Sequence, residues 1–133
     1  MTALFGLRPH IAHVCSLFCC CALCVYVECS LQLGLGASVK RQLLPTEMPT
    51  SQLHGRFGLV LRVAAGNNHS AAIASDGALL LWGANESGQL GRPGDAVQFD
   101  PIVLQRRGLC GRRADEVVCG PYFTLVLGGM FLV

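Results

Sequence analysis

The sequence predicts an all-β fold made of repeated four-stranded units of the kind that stack as propeller blades. Three observations carry that expectation. Sixteen glycines among 133 residues, with 14% charged and 52% apolar residues, describe a turn-rich folded chain and exclude a charged disordered tail as its main feature. Val63–Gly91, VAAGNNHSAAIASDGALLLWGANESGQLG, alternates short apolar runs with turn signals. The spacing of its head and tail recurs elsewhere in the chain.

Taken in order, Leu59 to Ala65 and Ser70 to Ala74 read as strands of small and β-branched residues. Ser75-Asp76-Gly77 is a tight hairpin turn, because Asp-Gly supplies the backbone freedom that such turns require. Ala78 to Trp82 is the returning strand, Asn85 to Gly88 a loop, and Ile102 to Leu104 a short outer strand. Four strands in roughly 50 residues make one blade, and a single blade cannot bury both of its faces.

The repeats extend the pattern. Ser30-Leu31-Gln32-Leu33-Gly34 matches Ser87-Gly88-Gln89-Leu90-Gly91 at four of five positions, 57 residues earlier. Pro45 matches Pro101 at an offset of 56, and Val117-Val118-Cys119-Gly120 follows Val63-Ala64-Ala65-Gly66 at 54. Phe123-Thr124 stands where His69-Ser70 stood, and Gly128-Gly129 is read as the counterpart of the Asp76-Gly77 turn. The expected organisation is a partial unit over 30–48, a complete one over 59–104 and a partial one over 116–133, stopping in mid-unit like a truncated propeller. A piece of that kind is expected to be poorly stable, with open strand edges and uncovered apolar faces.

Residues 1–29 fall outside this reading. Ile11–Val27, IAHVCSLFCCCALCVYV, has no formal charge and holds five of the eight cysteines. It admits three readings: a signal-peptide core, a short membrane anchor, or an apolar segment with no membrane role. His10, His13, Cys15 and Cys19 lack the second separated ligand pair of a finger-like zinc site, so no metal is assigned. The crowding of Cys19, Cys20 and Cys21 argues against a disulfide framework, and the repeat region is read as a reduced domain of the cytoplasm or nucleus.

Catalytic patterns do not assemble. His69 and Ser70 are adjacent on a strand and point to opposite faces, which separates them as base and nucleophile even with Asp76 nearby. GANESGQL lacks the Lys-Ser/Thr of a phosphate-binding loop. Asn68 and Asn85 open formal glycosylation sequons. Arg106, Arg107, Arg112 and Arg113 read as a solvated basic connection. With a formal net charge of +2, nothing calls for nucleic acid, and no cofactor or small-molecule substrate is expected.

GNNHSAAIASDGALLLWGANESGQLG resembles a repeat of the regulator of chromosome condensation family. The residues that carry the resemblance are Gly66, His69, Ser70, Gly77, Trp82, Gly83, Asn85, Gly88, Gln89, Leu90, Gly91 and Pro101, with Gly120 in the third unit. The first unit departs from the pattern, since at an offset of 57 Trp82-Gly83 falls on Val25-Tyr26. The resemblance implies a seven-bladed β-propeller of which this chain holds about two blades. It assigns these residues to scaffold, and it implies protein binding through propeller faces. In some members it implies guanine nucleotide exchange on a small GTPase, done by a binding surface without acid–base catalysis. The alternatives are a membrane-anchored or secreted repeat protein targeted through residues 11–27, and a fragment with no independent function.

Overall fold

The computed structural model describes residues 24–27, 33–39, 42–47, 59–104 and 109–129. These form eight strands: β1 (Cys24–Val27), β2 (Gln42–Glu47), β3 (Val60–Ala65), β4 (His69–Ala74), β5 (Leu79–Gly83), β6 (Gln98–Leu104), β7 (Arg113–Cys119) and β8 (Thr124–Gly129). They divide into a pair β1-β2, a four-stranded sheet β3-β4-β5-β6 and a pair β7-β8, with every pairing antiparallel. This is an all-β partial propeller: one complete blade with half a blade on either side.

Local chemistry fixes the central blade. Gly66 N–H donates to the His69 carbonyl (2.9 Å) and closes the β3–β4 turn. Gly77 turns the chain from β4 to β5 at φ +78°, a left-handed conformation that suits glycine. The Asp76 carboxylate accepts from Ala78 N–H (2.9 Å) and braces that turn. β6 is longer than the three residues expected, and its register against β5 shifts between Leu81 and Gly83. Pro101 lies where the ladder is interrupted on this outermost strand, a position that needs no donor from its nitrogen.

The registers show how the half-blades relate to the whole one. Ala65 faces Ser70 and Val60 faces Ala74 across β3-β4; Cys119 faces Thr124 and Ala114 faces Gly128 across β7-β8. Every pair is displaced by 54 residues, including the irregularity between Val60 and Arg62 and that between Ala114 and Glu116. Gly83 faces Gln98 and Val27 faces Gln42, a displacement of 56, again with a matching irregularity. β7-β8 is therefore the first half of a blade, and β1-β2 the second half of another.

Three details of the sequence reading change. Gly128 and Gly129 lie inside β8, opposite Ala114 and Arg113; the register aligns them with Ala74 and Ser75, so they are not the turn. Tyr26 takes the place of Trp82 and Val27 that of Gly83, one residue beyond the earlier alignment, because five residues separate Val27 from Leu33 where six separate Gly83 from Leu90. Arg113 belongs to β7, not to a solvated connection.

β4 and β5 are buried along their whole length, so their alternating side chains form two cores. Ala72, Ala74, Leu80 and Trp82 face one way and pack around Leu33 of the preceding unit. Ala71, Ile73, Leu79 and Leu81 face the other way, around Leu90 and toward Ala114, Val117 and Val126 of the following half-blade. The leucine of each Gln-Leu-Gly thus plugs the seam between its own unit and the next.

Candidate functional site

His69 and Gln89 of the repeat meet at the seam between the central blade and β7-β8. His69 is fully buried, and its Nε2 lies 3.0 Å from Thr124 Oγ1. Thr124 donates its single hydroxyl proton to the Gln89 carbonyl (2.7 Å), so His69 is the donor to Thr124. A relay from imidazole to hydroxyl to carbonyl ties β4, β8 and the Gln-Leu-Gly loop together. Burial lowers the His69 pKa below its ordinary value, opposed by a hydrogen bond with the Phe123 backbone, and the ring is held neutral.

Gly66 lies beneath that ring. A Cβ there would come within 2.4 Å of the imidazole and collide with the Gly120 carbonyl. Gly120 repeats the arrangement beneath Phe123, with its own N–H donating to the Phe123 carbonyl (2.8 Å). The two glycines allow neighbouring units to touch backbone to backbone at this end of the seam.

Asn85 organises the long β5–β6 loop. Its side-chain oxygen accepts from Leu90 N–H (2.9 Å), and its amide nitrogen donates to the carbonyls of Arg92 (3.1 Å) and Gly94. Gln89 turns its side chain back to accept from Ser87 N–H (2.9 Å). Gly88 and Gly91 adopt φ of +74° and +63°, and Gly34 in the preceding unit repeats the latter value. These bonds aim Leu90 into the seam. Asn85 is buried and fully used, which removes it as a glycosylation acceptor in the folded chain, whereas Asn68 is exposed.

The hydrolase pattern does not form. Ser70 is buried opposite Trp82, and the exposed Asp76 is engaged at the hairpin. Among the described residues no group of three or more His, Cys, Asp or Glu is placed to hold a metal ion. No helix among them is long and apolar enough to cross a membrane.

Two contributors escaped the sequence reading. Arg113 donates from its guanidinium to the Ser75 carbonyl (2.7 Å), and the neighbouring Ala114 N–H donates to the Gly77 carbonyl (3.1 Å). Together they pin the β4–β5 hairpin to the first strand of the next unit. Thr124 was seen only as the residue after the His-like position, and its part in the relay depends on a partner 55 residues away. Arg106 and Arg107 lie outside the described residues. Burial pushes the Cys119 thiol up to about 11, against a hydrogen bond with Thr124, while Cys110 is free and exposed.

The surface open to solvent includes the β5–β6 loop over Glu86–Gly88 and Gly91–Ala96, and an apolar face on β7-β8 formed by Val118, Leu125 and Leu127. With His69, Asn85 and Gln89 engaged in the seam and the loop base and Ser70 buried, the geometry is that of a stacked-repeat scaffold. The regulator of chromosome condensation (RCC1) repeat matches at residues 60–89 and 76–127, the central blade and β7-β8 together. The chain belongs to the regulator of chromosome condensation repeat family. It is 35% identical over 103 residues to the human probable E3 ubiquitin-protein ligase HERC4, covering 75% of this chain and 9% of that one. It is 31% identical over 109 residues to the mouse regulator of chromosome condensation, covering 71% of this chain and 24% of that one. It is 32% identical over 98 residues to the bovine secretion-regulating guanine nucleotide exchange factor, covering 72% and 19%. The chain thus spans a quarter or less of these relatives. In structure it resembles human WBSCR16, with a TM-score of 0.71 at 23% identity over 82% of this chain and 27% of that one. It also resembles yeast Prp20p, a protein studied for its binding to Gsp1p and histones, with a TM-score of 0.64 at 20% identity over 90% and 28%. The regulator of chromosome condensation repeat supports a protein-interaction role.

Proposed function

We propose that this chain is a protein-binding segment of a propeller scaffold, contacting its partner through the exposed β5–β6 loop and the rim beside it. The observation that carries the reading is the division of labour in the repeat. His69, Ser70, Asn85 and Gln89 are buried in the seam or the loop base, while the outward loop residues Glu86, Ser87, Arg92 and Asp95 are exposed. Nothing in that loop amounts to a nucleophile with its base, so recognition is what the surface offers.

A second reading places the segment within a guanine nucleotide exchange factor for a small GTPase. It is favoured by a relative that carries that name and by the likeness to Prp20p. Exchange needs a surface that distorts the nucleotide site of the GTPase, and a rigid propeller rim supplies such a surface. Gsp1p loaded with a fluorescent GDP analogue tests both readings. Binding with faster nucleotide release supports exchange, and binding with unchanged release supports the scaffold alone. Failure of the β5–β6 loop variants Glu86→Lys and Asp95→Lys to alter any binding found would remove that loop from the interface.

We also propose that the repeat region begins upstream of residue 30. β1 lies within the apolar 11–27 segment and pairs with β2 as the third and fourth strands of a blade. At the same offset of 56, Ala22-Leu23 aligns in sequence with Ala78-Leu79 and His13 with His69. Deleting residues 1–27 should then lower the melting temperature of the remaining chain; an unchanged melting temperature would return the segment to a separate targeting role.

A further inference from the structure

The β5–β6 loop of the central blade carries an exposed tip, Arg92-Pro93-Gly94-Asp95. Its shape is set from beneath by one buried side chain. The Asn85 amide nitrogen donates to the carbonyls of Arg92 (3.1 Å) and Gly94, the two that bracket Pro93. The amide oxygen accepts from Leu90 N–H (2.9 Å). The two ends of Asn85 therefore have separate tasks: the oxygen holds Leu90 for the seam, and the nitrogen holds the tip. Pro93 fixes its own φ, and Gly94 adopts the left-handed φ of +86°.

The scaffold does not require charge at this tip. In the preceding unit Gln32-Leu33-Gly34 repeats Gln89-Leu90-Gly91 at an offset of 57, and there Arg92 and Asp95 fall on Leu35 and Ser38. Leu35 packs against the core around Leu33, whereas Arg92 is exposed. Leu33 and Leu90 both plug their seams, so a seam is filled with or without charges at the tip. Neither the Arg92 nor the Asp95 side chain takes part in an ion pair or hydrogen bond among the described residues.

We propose that Arg92–Asp95 is a preorganised recognition tip with Asn85 as its positioning residue, and that its partner presents a carboxylate to Arg92 and a cationic side chain to Asp95. This rests on the β5–β6 loop being the binding surface. A guanidinium suits a carboxylate because it can bond it through two parallel N–H donors, and arginine is enriched among residues that dominate binding energy. A tip already held in shape avoids the cost of being ordered on binding. Opposite charges three residues apart orient the partner as well as attract it.

The test uses the full 133-residue chain with Gsp1p as the probe. Asn85→Asp keeps the acceptor for Leu90 N–H and removes the donor to both tip carbonyls. Amide exchange should quicken over Gly91–Ala96 and stay unchanged at Leu90 and along β7-β8. Affinity for Gsp1p should fall about tenfold for Arg92→Ala and about fivefold for Asn85→Asp, and the double variant should lose less than the product of the two. The loss for Arg92→Ala should shrink at high salt, because the charge is exposed. Gly94→Ala strains the left-handed turn where nothing lies within 4 Å of the added methyl, so it should weaken binding without altering exchange at Leu90. Exchange that quickens equally at the tip and the seam, or full affinity in both Asn85→Asp and Gly94→Ala, would remove Asn85 as the positioning residue. Weaker binding by Glu86→Lys but not by Arg92→Ala would overturn the recognition tip and leave the loop as the binding surface. No binding by the unaltered chain, or binding indifferent to every loop variant, would overturn both.

Discussion

β4 and β8 occupy the same place in two successive units, yet one is buried along its whole length and the other alternates between half-buried and exposed. Their registers coincide at an offset of 54, so strand geometry is not the cause. The difference lies in what flanks them. β4 has β5 along its outer edge, Leu33 and its neighbours on one face, and β7 with Leu90 on the other. Among the described residues, β8 has a packed neighbour on one face only. A repeat strand is thus stabilised mainly by adjacent units and little by its own sequence, as nearest-neighbour coupling in stacked repeats requires.

The largest test of that contrast is Trp82→Ala. The side chain is fully buried against Leu33, Ala72 and Leu80, and its removal should cost about 3–5 kcal/mol, read as a fall in denaturant midpoint. Next come Leu33→Ala and Leu90→Ala, each expected to cost about 2–5 kcal/mol because each residue plugs a seam. The two differ in where the damage appears. Leu33→Ala should raise amide exchange on the Trp82 side of the central blade, and Leu90→Ala on β7-β8. Exchange that rises equally at both seams would mean that the units do not behave as separable neighbours.

A smaller effect is expected of Asn85→Ala. It leaves Leu90 N–H and the Arg92 carbonyl without their side-chain partner in a part-buried loop base. A cost of about 1–3 kcal/mol should follow, with faster proteolysis in the β5–β6 loop. His69 gives a pH-dependent test of the same seam. Because its pKa is lowered in the fold, the unfolded chain binds the extra proton first. The stabilising contribution of the neutral ring is complete above an ordinary pKa of 6.5 and is lost as pH falls below it toward the folded value. The melting temperature should fall over that interval, and His69→Gln, which keeps a donor for Thr124, should flatten the dependence.

The central blade was legible because its signals are local. Asp76-Gly77, Trp82-Gly83 and Gln89-Leu90-Gly91 each encode a turn or plug within a few residues. The half-blades were harder to read. β1 is hidden in a cysteine-rich apolar run, and Tyr26-Val27 replaces the Trp-Gly that marks the third strand. Gly128-Gly129 imitates a turn that the register assigns to a strand end. The His69–Thr124–Gln89 relay joins residues from three separate segments, and the sequence marks only the first and last of them as motif positions. Arg113 reads as solvated charge until the Ser75 carbonyl is seen beside it.

The smallest expected effect is also the sharpest comparison. Leu125→Ser and Leu127→Ser remove large apolar side chains that are mostly exposed, so stability should change by no more than about 0.5 kcal/mol. Ile73→Ser makes the matching change at the Leu127 position of the central blade, where the side chain is buried beside Leu79 and Leu81. A loss of about 2–5 kcal/mol is expected there, since a cavity is opened and a hydroxyl is buried. Chemical denaturation of the three variants under one set of conditions measures the ratio directly. A large loss for the β8 variants would mean that this face is already covered in solution, by self-association. In that case the cost should shrink as the protein is diluted, because a face buried between chains contributes only while they are bound.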